Sequence, residues 1–386
     1  MFAASAARRR AVGLLRRRGS LTLSRGCLTP SRCPLQPSRS CSSSAPESPP
    51  ARGALQRWDL SVSPFTTVRA RLACDITVRP LDPHAYPEAD RAFVTVSGPS
   101  GDRNQADCLN HLRVHYDEQS KDLLISTQKV SSDVTIEVEA PIKSNVFITA
   151  EGGGSVEVQK MECDVCRVQT QKGSCLLHSV KGHQVEVLSH GGHVTGLGTI
   201  HGNVDISARG DGAVNVKKLQ GTTMNVSTEH GSLKVKAIYG ESNCVFSCSG
   251  RVEVGHAHGN TTVKNVSGDT VIDGSNSFLK ISSKSGDIDA YVGDGGTAEL
   301  HSQEGAVSVR VPSSLRVGVN LCGASVDVSP EVVLHRVENY AADGCATLTG
   351  CLNGEFPADR WVKARADRGA VKLRTQSWFE SLKIGS

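Results

Sequence analysis

Thiols, carboxylates and imidazoles carry the chemistry open to this chain, and each occurs in a pattern worth reading. Cys163 and Cys166 form a CxxC around Asp164 and Val165, a spacing that serves thiol–disulfide exchange or, with a second pair in reach, a zinc ion. The nearest further pair is Cys244 with Cys248. Asp269, Asp287 and Asp289 bring three carboxylates into one neighbourhood of the sequence, the donor type that calcium prefers and that polysaccharide-cleaving enzymes use in pairs. His256 with His258 and His190 with His193 are imidazole pairs suited to a transition metal, with no carboxylate or cysteine placed to complete either. Gly196, Gly198 and Gly202 mimic a nucleotide-binding loop, which needs a helix after its strand.

What positions these groups is a repeat. Glycines open nine copies of one phrase, at 154, 173, 192, 212, 231, 250, 268, 286 and 305, spaced 18 to 20 residues apart. Two residues after each stands Val156, Cys175, Val194, Val214, Leu233, Val252, Thr270, Ile288 or Val307. Another column precedes the glycines: Val168, Val187, Ile206, Val226, Val245, Val263, Ile281 and Leu300. Within a copy, apolar and polar residues alternate, and period two means strand. A second glycine column at 182, 202, 221, 240 and 259 marks further corners, where unusual backbone angles favour glycine. One copy cannot bury its own apolar face, so copies must stack in parallel. The expected fold is all-β, a parallel β-solenoid with about 19 residues and two short strands per coil, capped at both ends. Alternation excludes a helical array, and the period is too short for a propeller blade.

The repeat disciplines the chemistry. Cys244 and Cys248 lie four copies from Cys163, roughly 19 Å at the spacing of paired strands, so the two pairs cannot share a metal. Cys166 falls in an inward column with Val185, Val204 and Met224, and Cys175 in one with Val194, which makes both small buried apolar residues. The histidines at 190, 193, 201, 230 and 258 adjoin corner glycines and belong on the surface, as do His178, His183, His256 and His301. Asp269 and Asp287 should sit about 5 Å apart in neighbouring copies, a repulsive arrangement unless a lysine such as Lys284, water or a cation intervenes. Lys234 and Glu253 should stack favourably. The acids are scattered and only 4% of residues are aromatic, which argues against a sugar-cleaving groove. We therefore assign no catalytic, cofactor-binding or metal-ligating residue and expect no enzyme.

Residues 1–50 hold nine arginines, no lysine and a single acid, Glu47. An arginine- and serine-rich, acid-poor leader is the composition of a mitochondrial transit peptide, and we place it over 1–45 with a linker over 46–57. The formal charge of +4 thus conceals a mildly acidic body of 34 basic and 38 acidic residues, which argues against nucleic acid as partner. No segment reaches the roughly 18 apolar residues of a membrane span. Of 13 cysteines, Cys27, Cys33 and Cys41 lie in the leader and the other ten show no framework spacing, so free thiols are expected in a mitochondrial matrix. The sequons at Asn225, Asn260 and Asn265 matter only on a secretory route.

Residues 58–140 read as β structure closing one end, with a separate β-sandwich as alternative; 141–330 are the repeats. The rhythm loosens over 331–386, where Gly344 to Gly354 reads as irregular and Trp361, Trp378 and Phe379 supply bulk to cover the last coil. Gly323 with Val326 and Val328 continues the phrase, and Gly369 to Leu373 writes it once more.

The phrases GSLKVKAIYG, GAVNVKKLQG, GRVEVGHAHG and SKSGDIDAYVGDG resemble the putative adhesin family, a β-helical domain of unknown function, over roughly 120–375. With its leader the whole chain resembles the eukaryotic mitochondrial members of the "family with sequence similarity" series that carry this domain. The resemblance implies the fold and brings no catalytic residues. It leaves three functions: a non-enzymatic mitochondrial scaffold for a protein partner, an enzyme acting on a polymer or glycan, or a thiol- or metal-handling protein.

Overall fold

A computed structural model of the protein describes residues 53–98, 111–127, 134–342, 344–355 and 357–377. The leader, most of the linker, Trp378 and Phe379 lie outside the described residues. The described chain is all-β, with strands β1 to β28 in chain order joined in one hydrogen-bonded network.

The first region enters the ladders out of sequence order. β2 (Thr67–Leu72) lies between β6 (Asp122–Thr127) and β8 (Asn145–Ala150), parallel to both. β3 (Asp75–Pro80) lies likewise between β7 (Thr135–Ala140) and β9 (Val156–Gln159). β1 (Ala54–Ser61) pairs antiparallel with β4 (Arg91–Ser97), β4 with β7, and β5 (Leu112–Asp117) with β6. Antiparallel partners occupy backbone groups that a naked parallel edge would leave open to other chains. Val68, Ile76 and Ile136 share one hydrophobic cluster with Val156 and the residues beyond it.

The repeats then pair in parallel at the spacing of the glycines. One ladder runs through β9, β11 (Cys175–His178), β13 (Val194–Ala208), β14 (Val214–Gln220), β16 (Leu233–Ser247), β17 (Val252–Ser267), β18 (Thr270–Ser275), β20 (Ile288–Val292) and β22 (Val307–Val311). It sets Val156, Cys175, Val194, Val214, Leu233, Val252, Thr270, Ile288 and Val307 on one another as direct partners. A second ladder joins β10 (Glu162–Thr170), β12 (Lys181–Ser189), β13, β15 (Thr223–Thr228), β16, β17, β19 (Phe278–Ser285) and β21 (Thr297–Ser302). It stacks Val168, Val187, Ile206, Val226, Val245, Val263, Ile281 and Leu300. No residue of either column is more than 2% exposed.

The middle repeats add a segment that period two does not announce. β16 pairs with β17 over three runs, Leu233–Val235, Ala237–Tyr239 and Ser242–Ser247. The short middle run stacks Ile200, Leu219, Ile238 and Ala257 in the interior. Three residues with a single inward side chain hold too little alternation to be read as a strand, which is why two strands per repeat were expected.

The corner glycines also correct an expectation. A Cβ on Gly250 would lie 2.0 Å from the carbonyl oxygen of Gly231, although Gly250 does not adopt a left-handed φ. There the requirement is close approach of successive corners, whereas Gly286 combines that approach with a φ of 130°. At four corners a buried small polar residue three positions earlier, Ser189, Ser247, Asn265 or Ser302, bonds the glycine backbone. Ser189 Oγ donates to the Gly192 carbonyl at 2.7 Å, and Ser302 Oγ donates to Gly286 O at 3.0 Å while accepting from Gly305 N–H at 2.9 Å. Asn265 Nδ2 donates to Gly250 O at 3.2 Å and Gly268 O at 2.9 Å. At these corners the backbone groups turned inward are thereby satisfied, as burial demands.

The far end is interleaved like the first. β27 (Trp361–Ala366) and β28 (Ala370–Thr375) pair with β21 and β22, while β23 (Gly318–Gly323) and β24 (Ser325–Val328) lie on their far side. The phrase at Gly369 therefore precedes the phrase at Gly323 in space. β25 (Leu334–Ala342) and β26 (Cys345–Leu352) form an antiparallel hairpin whose β26 pairs with β23. Much of the stretch from Gly344 to Gly354 is thus strand β26, and its antiparallel pairing lies outside the repeat rhythm that made it read as irregular. Trp361 opens β27 opposite Gly318, its indole N–H donating to Ala358 O at 3.0 Å.

Candidate functional site

Asp269 and Asp287 follow one another in successive repeats, Asp289 faces Arg310, and all three are already engaged. Asp269 Oδ1 accepts the backbone N–H of Asp287 at 3.0 Å, and Asp287 Oδ1 accepts that of Ala306 at 2.8 Å. Each carboxylate thus caps the next repeat, and the backbone N–H groups offset part of the stacking of like charges. Asp289 turns to Arg310, whose Nε donates to its Oδ1 at 2.7 Å, while Arg374 Nη2 reaches Oδ2 at 3.5 Å. Arg310 is 1% exposed, the largest fully buried side chain described. It also donates to Asp273 Oδ1 (3.4 Å), the Ile272 carbonyl (3.1 Å) and Gln376 Oε1 (3.2 Å). A buried guanidinium needs these partners, because its desolvation is otherwise uncompensated. Sequence reasoning missed it, since the alternation in Val309, Arg310, Val311 places the arginine outward.

The CxxC thiols are neighbours around a corner. Cys166 is fully buried, and its hydrogen bond with Cys163, followed by burial, pushes its thiol well above the ordinary range. The same bond lowers Cys163, which is 7% exposed and 3.8 Å from the Lys181 carbonyl. Burial pushes the Cys175 thiol up to about 12. Cys166 stacks on Val185 and Cys175 on Val194, the columns read from the sequence. Among the described residues no strand pairing joins Cys163 to the repeat of Cys244.

The histidines spread over the surface in separate contacts. His183 Nδ1 is 3.0 Å from Asp164, His230 Nδ1 2.9 Å from Ser249 Oγ, and His301 Nε2 3.0 Å from Asp367. His193 Nδ1 accepts the Ala213 N–H at 3.1 Å. Among the described residues no three His, Cys, Asp or Glu side chains converge as a metal site requires. Gly196, Gly198 and Gly202 all lie within strand β13. Asn265, the acceptor of one sequon, is interior.

Two further features were not singled out in the sequence. Cys322 and Cys345 bring their sulfurs to 2.9 Å across β23 and β26, although 23 residues and no motif connect them. Cys322 lines a groove of ≈ 510 Å³ with Lys280, Glu299, His301, Lys363 and Arg365. The outer faces also carry columns in register. Lys280 and Lys363 both pair with Glu299, at 3.3 and 3.4 Å, and Lys234 pairs with Glu253 at 3.2 Å. Arg167 bonds Glu186. Tyr239 stacks on His258 with ring centroids 4.5 Å apart and Lys218 Nζ 4.9 Å from its ring. Phe246 and Phe278 are exposed beside these columns.

Residues 198–343 match the family profile described as Toastrack DUF4097. Among solved structures, a putative adhesin from Parabacteroides merdae ATCC 43184 is 14% identical, with a TM-score of 0.33 over 64% of this chain and 96% of that one. A putative adhesin from Bacteroides fragilis NCTC 9343 is 10% identical, with a TM-score of 0.29 over 85% and 99% of the two chains. A putative lipid binding protein from Parabacteroides distasonis ATCC 8503 is 10% identical, with a TM-score of 0.32 over 83% and 96%. The family match falls on the central repeats and the strands that follow them.

Proposed function

We propose that the repeats wind as a parallel β-solenoid of about 19 residues per coil, closed by the strands of 58–140 at one end and, because β27 and β28 lie inside the stack, by β23 to β26 rather than by the whole of 331–386 at the other, and that the protein is a non-enzymatic scaffold presenting its flat faces to a protein partner. The observation that carries this reading is the register of the outward columns. Because residue partners repeat coil after coil, charged rows such as Lys280, Glu299 and Lys363 and exposed rings such as Tyr239 and Phe246 lie on extended faces. Such rows fit a partner that contacts several coils at once. Asp269 and Asp287 cap backbone and Asp289 holds Arg310, so these carboxylates are committed to structure.

The arginine-rich leader supports delivery to mitochondria, with the matrix as the destination. Proximity labelling by the full chain in intact mitochondria tests both parts. A reproducible stoichiometric neighbour that depends on the Lys280–Glu299–Lys363 row supports the scaffold, and labelling with no consistent neighbour refutes it. An intact Met1 on the cellular protein refutes import with cleavage.

A further inference from the structure

We infer that Cys322 and Cys345 are a thiol–disulfide exchange site, oxidised by a small soluble disulfide of the glutathione class, and that the bond formed locks the β25–β26 hairpin onto β23. This stands independently of the scaffold reading.

The geometry is close to that of the product. Cys322 on β23 is the register partner of Thr347 on β26, and Cys345 lies two residues before Thr347, hence on the same face of that strand. The sulfurs are 2.9 Å apart and both residues are partly exposed, so bond formation asks for about 1 Å of movement and a reagent has access. Cys163 and Cys166 are also in contact, but Cys166 is sealed in the core and exchange there would require the stack to open.

The surroundings distinguish the two sulfurs. Cys322 faces Arg365 in the parallel register of β23 with β27. Its groove also holds Lys280, Lys363 and His301, with Glu299 paired to both lysines and Asp367 to Arg365. The hydrogen bond with Cys322 pushes the Cys345 thiol up, with partial desolvation adding to it and Arg365 opposing. Cys322, which lines the open groove opposite Arg365, is placed as the sulfur that attacks first. The thiolate is the reactive form in such exchange.

The steps balance. The Cys322 thiolate attacks one sulfur of the disulfide RSSR, forming a mixed disulfide and expelling RS⁻, which takes up a proton. Cys345 loses its proton to solvent and attacks the Cys322 sulfur, forming the Cys322–Cys345 bond and expelling the second RS⁻. Two protein thiols are oxidised and one RSSR is reduced to two RSH. The new bond closes a 23-residue separation that contains β24 and β25, and this restrains opening of the hairpin.

The test uses the full chain, equilibrated in buffers of reduced and oxidised glutathione, alkylated, digested and mapped by mass spectrometry. A Cys322–Cys345 cross-link that rises with the oxidised fraction and disappears with dithiothreitol is expected. Cys345→Ser should stop the reaction at a glutathione adduct on Cys322. Proteolysis within 334–352 should slow severalfold in the oxidised wild type. Absence of the cross-link at every ratio, with both thiols alkylated in the native protein, overturns the proposal, as does linkage of Cys322 to Cys351 instead. A cross-link that leaves proteolysis unchanged overturns the lock.

Discussion

Arg310→Met should be among the most damaging single changes in the protein, although it replaces a charge by an apolar side chain of similar length. The guanidinium is 1% exposed and has four partners, the carboxylates of Asp289 and Asp273, the Ile272 carbonyl and Gln376 Oε1. Removing it leaves two acids whose side chains are only 34% and 20% exposed. Breaking a buried pair from one side costs about 3–5 kcal/mol. Arg374, 3.5 Å from Asp289, still compensates part of that charge, which places the expectation near 3 kcal/mol. Against a total stability of order 5–15 kcal/mol, this is a large displacement of the urea midpoint with little change in slope. The decisive comparison is the triple variant Arg310→Met, Asp273→Asn, Asp289→Asn. If uncompensated charge is the cause, the triple variant regains more than half of the loss. An Arg310→Met midpoint within about 0.5 kcal/mol of wild type, or a triple variant less stable than the single, refutes the argument that the guanidinium holds this corner by charge.

Three further outcomes follow from the register and the corners. Val245→Asp, in a column with no access to water, should cost more than about 4 kcal/mol, whereas Lys234→Ala removes a 3.2 Å surface pair and should cost under about 1 kcal/mol; equal thermal midpoints for the two contradict the register. Gly250→Ala places a Cβ 2.0 Å from the Gly231 carbonyl oxygen, backbone that cannot rotate away, and should cost about 3 kcal/mol in a chemical melt; an unchanged melt refutes the close approach of corners. Desolvation, followed by neighbouring His256, lowers the pKa of His258. The unfolded chain then binds its proton more readily, so stability should rise with pH through the range just below 6.5. An NMR titration midpoint at or above that of an unstructured histidine contradicts the sign.

What the sequence made legible and what it hid divide along one physical line. Val168, Val187 and their column were readable because each repeats a local condition, an aliphatic side chain facing inward at a fixed interval, and any copy reports it. The corner serines obey the same logic: Ser189, Ser247 and Ser302 each stand three residues before a glycine, so the signal was present though it was not recognised. Arg310 gave no such signal. Its surroundings come from Asp273, Asp289 and Gln376, between 21 and 66 residues away, and nothing in Val309, Arg310, Val311 records them. The spatial order at the ends was hidden for a related reason. The phrases around Gly323 and Gly369 are equivalent as text, so either could stack on Gly305; Val371 takes the place on Val307, and the phrase at Gly323 stacks beyond it with the β25–β26 hairpin against β23. The same hairpin brings Cys345 to Cys322. Periodicity thus specifies which side chains face inward, while the pairings of distant strands that bring Cys345 to Cys322 and the partners to Arg310 are recorded in no local pattern.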